Sequence, residues 1–298
     1  MNAHLFHRNA LFLIFLLSLS SCMAPNSNSS SNETAMDPLR ALWKSGREKI
    51  QRAWDETDPI ALNTFRIQDD IELGEQADRQ LQATENTVDS TAFKALYKRL
   101  NHIKNNILQH AQLQHAMDFS WKLTVIKNDS TVNAFCTPGG FIYVYTGLLR
   151  YVSSEAELAS VLAHEMAHAD LRHGTRQLTK QLGLQLIMQF LSGEGGPGLL
   201  AEITSNLISL RYSRAYEREA DANAVKYLCA SAYPPQAGIN FFKRILKEDS
   251  KNQLQWISTH PDPEERIKNI TERSARLNCN PGSEDSKNFC TELKSQLP

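Results

Sequence analysis

The chain has 298 residues, of which 41% are hydrophobic and 22% charged, and this composition is typical of one large globular domain or two small ones. Its 32 Lys and Arg against 33 Asp and Glu give a formal charge of -1, so the basic field that nucleic-acid binding normally needs is missing. A mean hydropathy of -0.41 argues against several membrane spans. We therefore exclude nucleic acid as a partner and a polytopic membrane protein as the class.

The N-terminus carries a targeting segment. A short region with basic residues precedes an apolar stretch over 10–19, which predicts a secretory signal peptide over 1–21. Leu19-Ser-Ser-Cys22 then resembles the lipobox of bacterial lipoproteins, in which the cysteine is acylated and becomes the mature N-terminus. We predict lipidation at Cys22; a plain signal peptide followed by a chance cysteine is the alternative.

The segment over 22–36 is rich in Ser and Asn, which favours a flexible linker between the lipid and the folded part. Met23 stands where an Asp would be the usual signal for retention in the inner membrane. Acyl chains anchor a protein without spanning the bilayer. We therefore expect an outer-membrane lipoprotein that faces the periplasm.

The pattern of apolar residues then predicts the elements in chain order. Helical spacing predicts helices over 39–54, 69–83 and 91–114. Alternation of β-branched and aromatic residues predicts strands over 121–127 and 140–145. No repeat of fixed period is present, which argues against an appended solenoid.

The next helix carries the most informative motif. Ser154 begins it as an N-cap, and we expect it to end at Gly174. His164 and His168 are four residues apart, so their rings project from one face of this helix and can bind one metal ion. Glu165 is placed beside them as the general base that takes a proton from a metal-activated water.

A catalytic zinc site with three protein ligands needs a third residue beyond this motif. We reject His173, which stands one position short of the third histidine of three-histidine zinc hydrolases and can instead interact with a helix dipole. A carboxylate fits better, because Glu217 and Asp221 lie four residues apart on a second helical stretch, predicted over 199–228.

Four motifs in chain order resemble the zinc metallopeptidase family of the CAAX prenyl protease and the bacterial heat-shock membrane protease. The similarity is greatest to its branch of periplasmic or outer-membrane lipoproteins and β-barrel assembly-enhancing members, here without repeats, and it covers residues from about 60 to about 275. The motifs are Asn133-Ala-Phe-Cys-Thr-Pro-Gly-Gly, His164-Glu-Met-Ala-His168, Ser213-Arg-Ala-Tyr-Glu217-Arg-Glu-Ala-Asp221 and Ser258-Thr-His-Pro261-Asp-Pro-Glu-Glu-Arg-Ile.

The resemblance implies an α+β fold. We expect a mainly helical, zincin-like (gluzincin) metalloprotease domain over 37–275, with a small β-sheet whose edge strand borders the zinc site, and a polar C-terminal tail over 276–298. It also implies one Zn²⁺ per chain, held by His164, His168 and Glu217. Asp221 would then hydrogen-bond the free ring nitrogen of a zinc histidine.

Two alternatives to this ligand set stay open. Glu219 competes with Glu217 as the third ligand, although it points elsewhere on the helix. The whole acidic stretch could also be a solvated charged face, with Arg214 and Arg218 as salt-bridge partners.

The segment around Asn133 has two compatible interpretations. It can be an edge strand beside the zinc that pairs with an extended substrate through backbone hydrogen bonds. It can also form a tight turn at Pro138-Gly-Gly.

His260 has three competing interpretations. It can donate a hydrogen bond to the oxyanion, act as a reversible fourth ligand that keeps the enzyme latent, or only cap the helix that begins near Pro263.

Four cysteines remain once Cys22 is acylated, an even number in a compartment that oxidises thiols. We expect Cys279 to pair with Cys290 across a short loop, and Cys136 to pair with Cys229. Four cysteines allow three connectivities, and free thiols are a further alternative.

The sequence therefore predicts a zinc metalloendopeptidase of the bacterial envelope. Its expected substrates are unfolded or misassembled envelope polypeptides, and its further partners are the membrane, through the lipid, and the outer-membrane assembly machinery. An assembly chaperone with a latent protease site is the alternative from another class. A purely structural zinc protein is disfavoured, because the glutamate beside the histidines would then have no purpose.

Overall fold

The computed structural model describes residues 63–191, 196–208, 210–231, 233–249, 262–279 and 288–298, together with Trp256, Thr259 and His260. All of them belong to the unit Trp54–Pro298. The predicted signal peptide, the lipidation site Cys22, the linker and the first predicted helix lie outside the described residues.

Helices dominate this part of the chain, and three short strands form its sheet. In chain order the elements are α1 (Ile67–Thr84), α2 (Lys94–His110), β1 (Lys122–Ile126), β2 (Ala134–Thr137), β3 (Phe141–Tyr145), α3 (Thr146–Tyr151), α4 (Glu155–Asp170), α5 (His173–Leu191), α6 (Gly196–Ile208), α7 (Arg214–Ala230), α8 (Ala237–Asp249), α9 (Pro263–Leu277) and α10 (Phe289–Ser295). This arrangement confirms the predicted mainly helical α+β class. Across the described ranges, no helix has both the length and the apolar character that crossing a bilayer requires.

The sheet has the strand order β1-β3-β2. β1 runs parallel to β3, and β2 runs antiparallel to it, with Cys136 opposite Ile142. A tight turn joins β2 to β3, and Gly139 and Gly140 adopt positive φ angles of 77° and 81° there, which favour glycine. The turn expected at this point is therefore present, and it leaves β2 on the edge of the three-stranded sheet.

α4 is the central helix, and nearly every side of it is buried against β2, α2, α7 and α8. Leu158, Leu162 and Met166 are completely buried along it. The hydroxyl of Ser154 accepts a hydrogen bond from the backbone N–H of Glu157 at 3.0 Å, so the predicted N-cap is present. The helix that carries the motif is thus held rigidly in the core.

The predicted end of this helix at Gly174 is wrong. α4 ends at Asp170, and Arg172 adopts a left-handed backbone with φ 57° before α5 begins at His173. The guanidinium of Arg172 is held in this break by the carboxylate of Asp70. Gly174 has a packing role instead, because a Cβ there would lie 3.2 Å from Pro138.

The single helix predicted over 199–228 is also wrong, because two helices, α6 and α7, occupy this stretch. Ser213 caps the second, and its hydroxyl accepts from the N–H of Tyr216 at 3.3 Å. The helical spacing of apolar residues continues across the break between α6 and α7, so periodicity alone did not show it.

The predicted disulfides are wrong as well. Cys229 pairs with Cys279, while Cys136 and Cys290 are outside any disulfide. α7 and α9 lie side by side and run in the same direction, because Arg214–Asp262 at 2.8 Å and Arg218–Glu265 at 3.4 Å pair their N-terminal ends. Their C-terminal ends therefore meet, and the bridge joins residues that are 50 positions apart. Short separation along the chain was a poor guide to pairing.

The segment predicted as a polar tail contributes to the core. Phe289 and Leu293 of α10 are buried in the main hydrophobic cluster. The guanidinium of Arg99 pairs with Glu292 and lies over the ring of Phe289 at 5.2 Å. α10 is therefore anchored on the side of the domain formed by α2 and α3.

Candidate metal centre

Three parts of the chain bring one group of side chains together. α4 supplies His164 and His168, α7 supplies Glu217, and the segment before α9 supplies His260. One ligand atom from each of the four lies within 4.8 Å of the others. All four residues are at most 3% exposed. The predicted ligands thus converge in the core, together with the residue for which three interpretations were open.

The spacing of the ligand atoms fits a tetrahedral zinc ion. Zinc bonds of about 2.0–2.1 Å to nitrogen and oxygen place neighbouring ligand atoms roughly 3.4 Å apart. Here Nε2 of His164 lies 3.0 Å from Nε2 of His168 and 3.3 Å from Oε2 of Glu217. Nδ1 of His260 lies 3.1 Å from Oε1 of Glu217 and 3.4 Å from Nε2 of His164.

The charge of the site also fits a divalent cation. Glu165, Glu217 and Asp221 are buried carboxylates, and Arg266 is the buried guanidinium beside them. If all four are ionised and the histidines are neutral, as metal ligands must be, two negative charges remain, and isolated buried charge is costly. Although burial raises it, the neighbouring histidines, His260 first, hold the pKa of Glu217 well below its usual value. A divalent ion would neutralise the group.

Glu165 is fully buried, and within the described ranges neither of its carboxylate oxygens makes a hydrogen bond. Its nearest charged contact joins Oε1 to Nε2 of His260 at 3.4 Å. Burial raises the pKa of Glu165, and the carboxylate of Glu217 adds to this effect. A buried carboxylate without a hydrogen bond destabilises a fold, so this arrangement favours a group that exchanges protons with water or substrate.

The other nitrogen of His164 faces Asp221. Oδ1 of Asp221 lies 3.0 Å from Nδ1 of His164, and Nη2 of Arg266 lies 2.8 Å from the same nitrogen. With Nε2 bound to a metal, Nδ1 would carry the ring proton and donate it to Asp221. The guanidinium of Arg266 binds the same carboxylate at 2.7 Å. Although burial raises it, Arg266 holds the pKa of Asp221 below its usual value. Asp221 therefore orients the ring as an ionised acceptor.

Arg266 is a residue of the site for which the sequence patterns predicted no role. It lies in the fourth motif, yet no spacing connects it to α7. Its guanidinium lies over the ring of Phe242 at 4.4 Å and is 2% exposed. The sequence signal for Arg266 was its place in the fourth motif. Its contact with Asp221 depends on the parallel packing of α7 and α9, which the motif does not show.

His173 and Glu219, the two residues that competed for the ligand role, lie outside the four-residue group. They contact each other at 3.2 Å between Nε2 and Oε2. The hydrogen bond from His173 is the main reason that the pKa of Glu219 falls to about 2. The structure therefore keeps Glu219 away from the cluster, on the far side of His168.

His260 does not cap α9. The N-cap of that helix is Asp262, whereas the ring of His260 lies in the ligand cluster and stacks on Trp256 at 4.4 Å. Of the three interpretations, the two that place the ring at the reacting centre remain.

Asn133 immediately precedes the edge strand β2. Its backbone oxygen accepts from the N–H of Tyr145 at 3.1 Å, and its side-chain oxygen accepts from the N–H of Ala134 at 3.0 Å. The hydroxyl of Thr259 lies 3.5 Å from the same side-chain oxygen. Asn133 therefore shapes the start of β2 and lies next to the segment that carries His260.

Comparison with known proteins gives a family. The family model described as peptidase family M48 matches residues 95–274. The mitochondrial metalloendopeptidase OMA1 of Arabidopsis thaliana is 32% identical over 165 residues, which are 55% of this chain and 34% of that protein. The β-barrel assembly-enhancing protease of Escherichia coli is 27% identical over 233 residues, which are 73% of this chain and 46% of that protein. The chain thus spans less than half the length of these two relatives.

Proposed function

The chain belongs to peptidase family M48, and we propose that it is a zinc-dependent metalloendopeptidase. The observation that carries the proposal is the group His164, His168 and Glu217, whose ligand atoms converge on the helix face beside Glu165, a buried carboxylate with no hydrogen bond within the described ranges. These three residues would hold one Zn²⁺ per chain. The ion would supply a Lewis acid that lowers the pKa of a water and polarises the peptide carbonyl.

In this mechanism the chain's own groups position and move one proton. Glu165 takes a proton from the attacking water and later gives it to the leaving amine, and its raised pKa suits both steps. Asp221 keeps the ring of His164 in the tautomer that can bind the metal. The surrounding apolar core excludes other water, which strengthens these interactions.

We propose that β2 binds the substrate backbone. It lies on the edge of the sheet and packs against α4, the helix that carries Glu165. An extended peptide can add to such an edge through main-chain hydrogen bonds, which tolerate many sequences. Asn133 would then set the position where this pairing begins. This mode suits an enzyme with loose side-chain preference.

Burial of the whole cluster indicates that the structure is a closed form. His164, Glu165 and His168 are at most 2% exposed, so a peptide reaches them only after the covering groups move. His260 is within ligand distance of the other three candidate ligands, as a fourth ligand must be. We therefore propose that His260 is a reversible fourth ligand that keeps the protease latent.

Replacing His260 by Ala is expected to raise the rate of casein cleavage several-fold. The variant lacks the proposed fourth ligand, so the coordination position that water and the substrate carbonyl need is open. The rates of the parent and the variant at equal zinc content are the measurement. The exposed His102 on α2 offers a matched His→Ala control. Slower cleavage would instead assign His260 as an oxyanion donor, and an unchanged rate would contradict both roles.

We propose the bacterial cell envelope as the setting. The predicted signal peptide and lipidation at Cys22 support an outer-membrane lipoprotein that faces the periplasm, and the likeness to a protein named β-barrel assembly-enhancing protease supports this setting. The substrates would be misfolded or misassembled periplasmic and outer-membrane polypeptides, and the outer-membrane assembly machinery would be a partner.

The second candidate is an assembly chaperone for outer-membrane proteins with a latent protease site. The burial of every candidate ligand favours it, since a site closed in this way does not cleave peptides. Such a chaperone would keep its effect in cells when hydrolysis is abolished.

The proposed function is tested by metal removal. The full chain loaded with zinc is expected to cleave casein at the low rate of a latent enzyme, to lose this activity after dialysis against a chelator, and to regain it when one equivalent of zinc is added. Calcium added in place of zinc is the control, since three ligands with two imidazoles favour zinc over a cation that prefers oxygen. Cleavage that survives complete removal of zinc would refute a zinc enzyme.

A further inference from the structure

His173 is a fully buried histidine that the proposed mechanism does not use. It begins α5, next to the break at Arg172, and is absent from the four-residue ligand group. Its Nδ1 lies 2.9 Å from Nδ1 of His168. Since His168 faces His164 and Glu217 through its Nε2, the contact with His173 is made by the nitrogen that does not bind the metal.

The ring protons of His168 and His173 are assigned from which nitrogen must donate in each contact. When Nε2 of His168 binds a metal, its only proton is on Nδ1, so Nδ1 of His168 must donate in this contact. Nδ1 of His173 must then be the acceptor and carry no proton. The proton of His173 is therefore on Nε2, where Oε2 of Glu219 lies 3.2 Å away and accepts it.

The contacts around His173 hold it in this orientation. Its ring stacks on Tyr216 at 4.5 Å, with 18° between the ring planes. Arg176 pairs with the same oxygen of Glu219 at 2.9 Å and lies over the ring of Tyr216. The carboxylate of Glu219 is thus held in place. It is the last group in a series of hydrogen bonds that runs from His168 through His173 toward the surface.

We infer that His173 is a positioning residue for His168: its unprotonated Nδ1 accepts the proton of His168 and so fixes the tautomer and orientation of that ligand, with Glu219 securing the tautomer of His173. The inference rests on the proposed zinc site and adds to it. Each zinc histidine then has its own acceptor, Asp221 for His164 and His173 for His168. Groups of this kind raise the basicity of a ligand, and losing one costs about 10- to 100-fold in metal affinity.

Two substitutions separate the acceptor from the packing of the ring. In His173→Asn the side-chain oxygen can take the place of Nδ1 and still accept from His168. In His173→Gln the polar end lies near the position of Nε2, so the contact with Glu219 can persist while the acceptor for His168 is lost. The experiment measures zinc dissociation constants of the full chain by competition with a chromophoric chelator, and the visible spectrum of the Co²⁺ form.

We expect His173→Gln to weaken zinc binding by about 10- to 100-fold and to shift the Co²⁺ bands. His173→Asn is expected to stay within about threefold of the parent and to keep its spectrum, which is the rescue that a packing role does not predict. The thermal midpoints of the metal-free proteins report folding. If the Gln variant does not fold, His173→Ala, which removes the acceptor without adding volume, replaces it.

Equal zinc affinity in the parent and both variants would overturn the inference, and so would an equal loss in both, because the ring would then act through packing alone. A parent chain that binds no zinc would refute the proposed function itself. The two failures are therefore distinct.

Discussion

Replacing Glu165 by Gln is expected to leave zinc binding unchanged and to lower the rate of peptide cleavage by about 10²- to 10⁴-fold, the usual contribution of a general base. The amide has nearly the shape of the carboxylate, so the packing of α4 is retained. It cannot take a proton from water. Within the described ranges no hydrogen bond holds the carboxylate in place, and the one charged contact that the substitution alters is with Nε2 of His260 at 3.4 Å.

Casein cleavage and zinc content, measured on the same preparations, check this expectation. Glu75→Gln on α1 is the matched control, since this side chain is exposed and far from the motif along the chain. Cleavage by Glu165→Gln at the parental rate would remove Glu165 from the mechanism. If the variant loses cleavage but still rescues envelope assembly in cells, the chaperone function gains support over the protease.

Replacing Glu217 by Gln is expected to lower zinc affinity by more than about 100-fold. Losing a residue that only hydrogen-bonds a metal ligand costs up to about 100-fold, and losing a ligand should cost more. The substitution removes the one charged ligand and leaves only neutral imidazoles, those of His164 and His168 and, in the latent form, that of His260. It also removes one of the negative charges that the ion balances in a site at most 3% exposed. Zinc titration against a chelator measures the loss.

Glu219→Gln is the matched control for this variant, because it lies two residues further along α7 and contacts His173 rather than the ligand cluster. Its loss of affinity is expected to be at most about 10-fold, since the amide oxygen can still accept from His173. A loss at Glu219 as large as that at Glu217 would assign Glu219 as the third ligand.

The sequence predicted the features that depend on the spacing of residues within one helix or strand. The rings of His164 and His168 meet because residues four apart share a helix face, and the strands near 121–127 and 140–145 follow from alternation. The fold class followed from the family resemblance. These features need no knowledge of how helices pack against one another.

What the sequence did not show depends on contacts between distant elements. The break at Arg172 is held by Asp70, which lies on α1, and no local pattern records that contact. The disulfide between Cys229 and Cys279 and the position of Arg266 both require that α7 and α9 run parallel. Helix packing thus decided the details that periodicity left undetermined.

His173 shows the same limit at the site itself. Its spacing from His168 predicted that it is no ligand of the three-histidine kind, and it lies outside the four-residue ligand group. The ring of His173 faces Nδ1 of His168 because a new helix begins at His173. The change in direction between the two helices occurs at Arg172, which has a left-handed backbone. The partner of a ligand was therefore visible only in three dimensions.

The central claim is that His164, His168 and Glu217 hold one zinc ion beside Glu165. The most direct test is a crystal structure of the zinc-loaded chain, with anomalous diffraction recorded on both sides of the zinc absorption edge. The account predicts one peak per chain, bonded to these three side chains, with Glu165 facing the ion without binding it. A peak bonded to Glu219 or His173, or no peak in this cluster, would contradict it.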